Sequence, residues 1–368
     1  MRTLPSTTAT YSHQKVSIIE LFFDLVFVFM VTQLTLLAEH SHLWTDFLVT
    51  GSILVLIWWL YAGWLWLVSA LGTGQRVRVF LILAMAGFLV MATVLPRIFS
   101  DGAKVFALAY LAIVLLHTTA FIAFSDPVHT KAIAKMAPFN FGAAAFISCA
   151  AWMDADWKPT LLALGALGLI VASVLPRPRG FSIKAEHFAE RHGLVILIAF
   201  GEAIVAIGSS AKDLPIDGKL LGTSALGMML IVSLWLRYFS GDDAAAQRQL
   251  EMASDARREQ LGASYWQTHM ALIAGVILVS AGIRSVVGQA GSEVATASLL
   301  GSGTGLFLLG HGAFRLKLRL GRCVLEGLGA IASILIIPIA VVVGSTPGLI
   351  LLVMMLLVLT IAGDRMRQ

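Results

Sequence analysis

The sequence predicts an all-α protein, a polytopic transmembrane helical bundle of about twelve spans (10–12). Three observations carry this expectation. Of the 368 residues 58% are hydrophobic. Only 13% are charged, where soluble domains average about 25%, and the mean hydropathy is +0.87. Apolar runs of about 20 residues, each long enough to cross the hydrocarbon core of a bilayer, recur along the whole chain. They lie near 18–39, 46–70, 77–96, 102–124, 136–153, 159–175, 191–210, 219–239, 265–287, 296–313, 323–343 and 346–363. The fifth and sixth are short, and only Gly344-Ser-Thr-Pro347 separates the last two.

Taken in order, the first run is the most informative, because it holds Glu20 and Asp24 one helical turn apart. A single Asp at mid-helix costs about 2.5–3.5 kcal/mol on insertion scales, so a carboxylate kept there needs a partner or a wet cavity. At 100° per residue Glu20, Asp24, Val28, Val31 and Thr35 form one stripe, with Gln33 on the opposite side. The second run gathers Trp58, Trp59, Tyr61, Trp64 and Trp66. Trp58 and Tyr61 share a face and are candidates to line a substrate path, and some of the others are expected to meet lipid. The third run ends at Arg97, and the fourth holds His117, read as a packing residue. Cys149 in the fifth run and Cys323 in the eleventh are expected to be buried small hydrophobes, with no disulfide.

A hydrophilic stretch from Leu175 to His192 leads into the seventh run, where Glu202 sits among Ala199, Gly201, Ala203, Ala206 and Gly208. Such small residues let transmembrane helices approach closely. A carboxylate in so dry a place is either permanently paired or alternately protonated and deprotonated. The eighth run closes on Trp235-Leu-Arg-Tyr238. Gly241 to Gly262 reads as one short helix outside the membrane, with Asp242 and Asp243 at its start and Arg257 and Arg258 near its end. The ninth run opens on Tyr265 and His269, a histidine able to relay protons, and ends at Arg284. His311 in the tenth is read as a packing residue.

The net charge of +5 is explained by topology. With the N-terminus, Arg2 and Lys15 included, placed in the cytoplasm, only Arg97, Lys104, Lys158, Lys212, Lys219 and Arg284 of the 26 Lys and Arg fall outside. That is the asymmetry of the positive-inside rule. Both termini are therefore expected to be cytoplasmic and the protein multi-pass in the cell inner membrane, with no removable signal peptide. The halves also resemble each other. Trp58-Trp-Leu-Tyr61 matches Trp235-Leu-Arg-Tyr238, Arg97 matches Arg284, His117 approximately matches His311, and Glu20 with Asp24 matches Glu190 with Glu202. These predict a six-plus-six parallel repeat, residues 1–180 and 181–368, an arrangement common among transporters.

Patterns for other chemistries fail. Glu186-His187 with Glu190-Arg-His192 lacks the His-Glu-x-x-His order, and Glu39-His40-Ser-His42 is weak metal-site evidence. No phosphate-cradling glycine loop and no serine nucleophile elbow is present, so no metal or cofactor is expected and an ATP-driven pump within this chain is excluded. The partners expected are the lipid bilayer and an unknown small solute or ion, with no nucleic acid. The leading reading is a secondary, proton-coupled transporter. The alternative is a membrane-embedded enzyme or lipid-binding protein that uses the same carboxylates as an acid–base pair. The candidate substrate- or proton-binding residues are Asp24, Glu202, Glu20, Trp58, Tyr61, Tyr238 and His269. Asp24 and Glu202 are expected to face one shared cavity.

Several of these motifs, Glu20-Leu-Phe-Phe-Asp24-Leu-Val-Phe-Val-Phe with Thr32-Gln33-Leu, Trp58-Trp59, and Glu190-Arg-His-Gly-Leu through Gly201-Glu202 to Gly208, resemble the bacterial low-temperature-requirement A (LtrA) family. Tyr238-Phe239 before an acidic segment, and Tyr265 with His269, fit the same pattern over essentially the whole chain. The resemblance implies a polytopic membrane protein and strengthens the choice of residues without naming a ligand. One departure stands out. Such proteins usually place an Asn or Asp after the second-span Trp cluster, whereas Trp64 to Gly74 contains neither.

Overall fold

The computed structural model describes residues 16–41, 44–175 and 183–367. Arg2, Lys15, His42, Arg177 and Arg179 lie outside them. The described residues form thirteen α-helices, α1 (Ile18–Glu39), α2 (Trp44–Leu71), α3 (Gln75–Val94), α4 (Gly102–Phe124), α5 (Pro127–Trp152), α6 (Lys158–Val174), α7 (Ala185–Ala211), α8 (Gly218–Phe239), α9 (Asp242–Met252), α10 (Asp255–Val287), α11 (Glu293–Leu318), α12 (Val324–Val343) and α13 (Ser345–Arg367). Among the described residues eleven spans are long and apolar enough to cross a membrane. The sixth expected span, α6, is a shorter apolar helix of 17 residues, about 25 Å at the helical rise. The chain is a multi-pass membrane protein.

Local chemistry sets the helix ends. Glu20 folds back onto Ser17, accepting from its backbone N at 2.8 Å and its hydroxyl at 2.6 Å, and so holds the first turn of α1. Asp217 caps α8 by accepting from Leu220 N at 2.8 Å. Gly241, at φ +105°, turns the chain out of α8, a conformation that costs a glycine nothing. The expected single helix over 241–262 is two elements instead. Ala253 and Ser254 take extended backbone angles, and the residues from Asp255 onward continue into α10, which reaches 33 residues.

Helices α2 and α10 are central. About 78% of the α2 span and 72% of the α10 span is buried, against 28% for α12 and 33% for α5 and α13, which present their apolar faces outward. In the first half α3 packs on α4, α4 on α5, α5 on α6 and α6 on α2, while α1 lies against α2 and α3. In the second half α10 packs on α11, α11 on α12, α12 on α13 and α13 on α8, while α7 lies against α8 and α10. The halves meet where α1 and α2 lie on α7 and α10. Helices α10 and α11 approach each other closely. A Cβ on Gly275 would stand 2.6 Å from Phe307 N, and one on Gly303 2.7 Å from Val279 N. On α7, by contrast, Gly201 and Gly208 face open space, and the alanines Ala199, Ala203 and Ala206 make the buried contact.

Burial bears on two further expectations. Of the five aromatic residues between 58 and 66, Trp58, Tyr61 and Trp64 are buried against the helices around α2, while Trp59 and Trp66 are half-buried. Cys149 is exposed and Cys323 half-buried, since both lie on peripheral helices, α5 and the start of α12.

Candidate functional site: a polar ladder between the first and seventh helices

Helices α1 and α7 run side by side in one register. Glu20 Oε1 lies 2.8 Å from His187 Nε2. Asp24 Oδ1 accepts from Arg191 Nη2 at 2.7 Å. Glu202 Oε2 accepts from the Thr35 hydroxyl at 3.2 Å. Each pair is separated by 167 residues in sequence, so three levels repeat one parallel alignment. A fourth level follows at the far end, where Arg284 of α10 donates to Glu39 Oε2 at 2.7 Å and to Ser209 Oγ at 2.7 Å. From Glu20 to Glu39 the ladder climbs about 28 Å at the helical rise, close to the roughly 30 Å of a hydrocarbon core.

The stripe read along α1 is therefore the face turned to α7 and α10. Glu20, Asp24, Thr35 and Glu202 are all at most 2% exposed. Asp24 also accepts from the Tyr61 hydroxyl of α2, and Tyr61 is sandwiched by Phe23 and Phe27 at ring distances of 5.1 and 4.0 Å. Asp24 Oδ2 and Arg191 Nη1 are left buried with no hydrogen-bond partner among the described residues. Orphaned buried polar atoms are rare and mark strain or function. Glu202 is held differently. Its partner is a hydroxyl, not a cation in direct contact, so it can take up a proton without breaking an ion pair.

Asp24 and Glu202 are held at different levels of the ladder. They sit on the same interface but eleven residues apart along aligned helices, about 16 Å at the helical rise, each with its own donors. Of the candidates Trp58, Tyr61, Tyr238 and His269, only Tyr61 hydrogen-bonds a carboxylate of this ladder among the described residues. Trp58 Nε1 donates to Trp266 O at 3.0 Å. Tyr238 and His269 bond each other at 2.8 Å through the hydroxyl and Nε2, and His269 Nδ1 lies 3.0 Å from Tyr265 O. His192 connects the groups, with its ring 6.3 Å from that of Trp58 and 5.0 Å from that of His269. The seven candidates thus fall into an α1–α2–α7 set and an α8–α10 set, bridged by a histidine.

Sequence reasoning missed Arg191 and His187, which it placed in the hydrophilic connector. Glu190, matched there to Asp24's half of the repeat, is exposed. It also missed a second buried charge cluster at the end of the bundle where α8 stops. Arg237 pairs with Glu326 of α12 and reaches Leu359 O of α13 at 3.3 Å. Asp242 pairs with Arg315 and lies 3.0 Å from His311 Nε2. His311 thus packs, as expected, but among charges, and Asp242 is buried rather than solvated.

These features coincide with a family assignment. The sequence model described as "Bacterial low temperature requirement A protein (LtrA)" matches residues 15–361. The chain is also 29% identical over 294 residues to an uncharacterized protein of Rhizobium meliloti (strain 1021), covering 73% of this chain and 68% of that one. The matched region contains every rung of the ladder, and the chain belongs to the bacterial LtrA family.

Proposed function

We infer that this protein is a secondary transporter of a small solute or ion in the inner membrane, with the α1–α7 ladder as its proton- or cation-carrying path. The observation that carries the reading is the extent of the ladder. Titratable side chains occupy four levels over nearly the full hydrocarbon thickness, at the seam between the first helices of two halves. A purely structural ion pair needs one level. Intramembrane carboxylates facing the bundle interior mark ion and proton routes. Glu202 is the proton-exchanging member, because its protonation frees no buried cation. Asp24 with Arg191 is the anchor, and Glu20 with His187 the mouth. Both termini are read as cytoplasmic, which the charge asymmetry supports.

The six-plus-six organisation, residues 1–180 and 181–368, belongs to the same reading. It is supported by the matched packing order, in which each neighbour pair of α1–α6 has a counterpart among α7, α8 and α10–α13. Such parallel repeats place ion sites at the interface between halves, where the ladder lies. The test is electrical. Protein adsorbed on a solid-supported membrane is stepped in pH, alone and with a panel of small amines, organic acids, sugars and monovalent cations. Charge movement is expected in the wild type and is expected to vanish in Glu202→Gln. Wild-type currents no larger than those of protein-free membranes under every condition would refute the transport reading.

A further inference from the structure

The short loop from α11 to α12 carries charge that the rest of the fold leaves unanswered. Lys317, Arg319 and Arg322 are all exposed, and no Asp or Glu occurs between Glu293 and Glu326. Glu326 itself is buried and taken by Arg237. Lys317 donates to Gln267 Oε1. Arg319 and Arg322 make no ion pair and no side-chain hydrogen bond among the described residues. Other arginines at this end of the bundle are answered, Arg315 by Asp242 and Arg258 by Asp255. Arg319 also holds the left-handed cap of α11, at φ +56°, a position where glycine is usual.

An apolar face begins where this loop ends. Val324, Leu328, Ile331 and Leu335 of α12 are 56–62% exposed, and their spacing puts them on one side of the helix. From Val324 to Leu335 the face is about 16 Å long at the helical rise, half of the roughly 30 Å hydrocarbon core. It covers one leaflet, with the arginines at its outer edge. Leu316, 66% exposed, stands on the α11 side of the same loop.

A guanidinium donates in a fork that matches phosphate oxygens, and basic residues beside a membrane helix attract anionic headgroups. Unpaired guanidiniums over a leaflet-long apolar face fit an amphiphile with a phosphate at one end and acyl chains at the other. A zwitterionic phospholipid brings its own ammonium to compete for the phosphate, and a soluble anion would leave the α12 face unused.

We propose that the α11–α12 loop and the adjoining face of α12 bind one anionic phospholipid, its phosphate held by Arg319 and Arg322 and an acyl chain laid along Val324 to Leu335. The proposal rests neither on the transport reading nor on the assignment of sides.

The test uses phosphatidylglycerol with a photoactivatable diazirine on one acyl chain, and phosphatidylcholine carrying the same group. Each probe is added at the same mole fraction to phosphatidylcholine nanodiscs holding the full-length protein, and adducts are mapped by mass spectrometry after irradiation. On the segment from Val324 to Leu335, phosphatidylglycerol adducts are expected to exceed those of phosphatidylcholine about tenfold, the order that two cations beside an anionic headgroup supply. Arg319→Gln combined with Arg322→Gln is expected to bring them down to the phosphatidylcholine level. Arg248→Gln combined with Arg257→Gln removes the same charge from exposed sites on α9 and α10 and is expected to leave them unchanged. Three outcomes overturn the proposal. They are equal labelling of the segment by the two probes, phosphatidylglycerol adducts spread evenly over the exposed apolar faces of α3, α6 and α12, and equal losses in the two double variants. The first two are read on the wild-type protein, so the test remains decisive even if a variant fails to fold.

Discussion

Removing the charge of Asp24 without changing its shape isolates the ion pair at the second rung. In Asp24→Asn the new amide oxygen can still accept from Tyr61 or Arg191, so hydrogen-bond loss is small. What remains is Arg191, 3% exposed, with its 2.7 Å carboxylate partner gone. Breaking a buried pair from one side typically costs about 3–5 kcal/mol, a shift of roughly 10²–10³-fold or more in the folding equilibrium at about 1.4 kcal/mol per decade. Arg191→Met leaves a carboxylate that keeps the Tyr61 bond and can be neutralised by a proton, so a smaller loss of about 1–3 kcal/mol is expected. Replacing both partners removes the uncompensated charge, and the double variant is expected within about 1.5 kcal/mol of the wild type. Reversible unfolding in bicelles, followed for all four proteins, gives the cycle directly. Additive losses in the double variant, or an Asp24→Asn protein within about 0.5 kcal/mol of the wild type, would refute the anchoring role assigned to this rung.

Three further expectations follow from the same geometry. Glu202→Gln retains an acceptor for the Thr35 hydroxyl and creates no lone charge, so its unfolding free energy should change by less than about 1 kcal/mol while pH-step currents disappear; a large stability loss would make Glu202 structural. Gly275→Ala places a methyl 2.6 Å from Phe307 N and should cost about 1–3 kcal/mol, measurable as a lower melting temperature, whereas Gly208→Ala on the open face of α7 should be neutral. For topology, in a background with Cys149 and Cys323 replaced by Ser, the exposed Ser100→Cys should react with an impermeant maleimide added outside whole cells and the exposed Ala244→Cys only after lysis; the reverse pattern would invert every assignment of sides.

Hydropathy and helical period made much of the ladder legible. Glu20, Asp24 and Thr35 share a stripe at 100° per residue, and a stripe with two carboxylates in an apolar run has to face the interior, where the structure has it. Glu202 stood out for the same energetic reason. Their partners did not. Arg191 and His187 precede the bulk of the apolar run that begins near 191, so a hydropathy reading assigns them to the connector. Helix α7 starts at Ala185, about one and a half turns earlier, and that extension carries both cations onto α1. Glu190 and Arg191 differ by 100° around the helix, and the packing of α7 on α1 at a fixed offset of 167 residues selects the arginine.

By itself, the chain determined an all-helical membrane bundle, the approximate limits of its spans and the residues too polar to face lipid, because each follows from transfer free energy and a local 3.6-residue period. Tertiary structure alone decided which of those residues meet. Asp24 and Glu202 fall on separate rungs, Tyr238 turns to His269, Arg237 is taken by Glu326, and Trp58 and Trp64 of α2 are fully enclosed. Such pairings depend on helix rotation and axial offset between segments far apart in sequence. Those are set by shape, by close backbone approaches such as Gly275 on Phe307, and by the need of each buried charge for a partner.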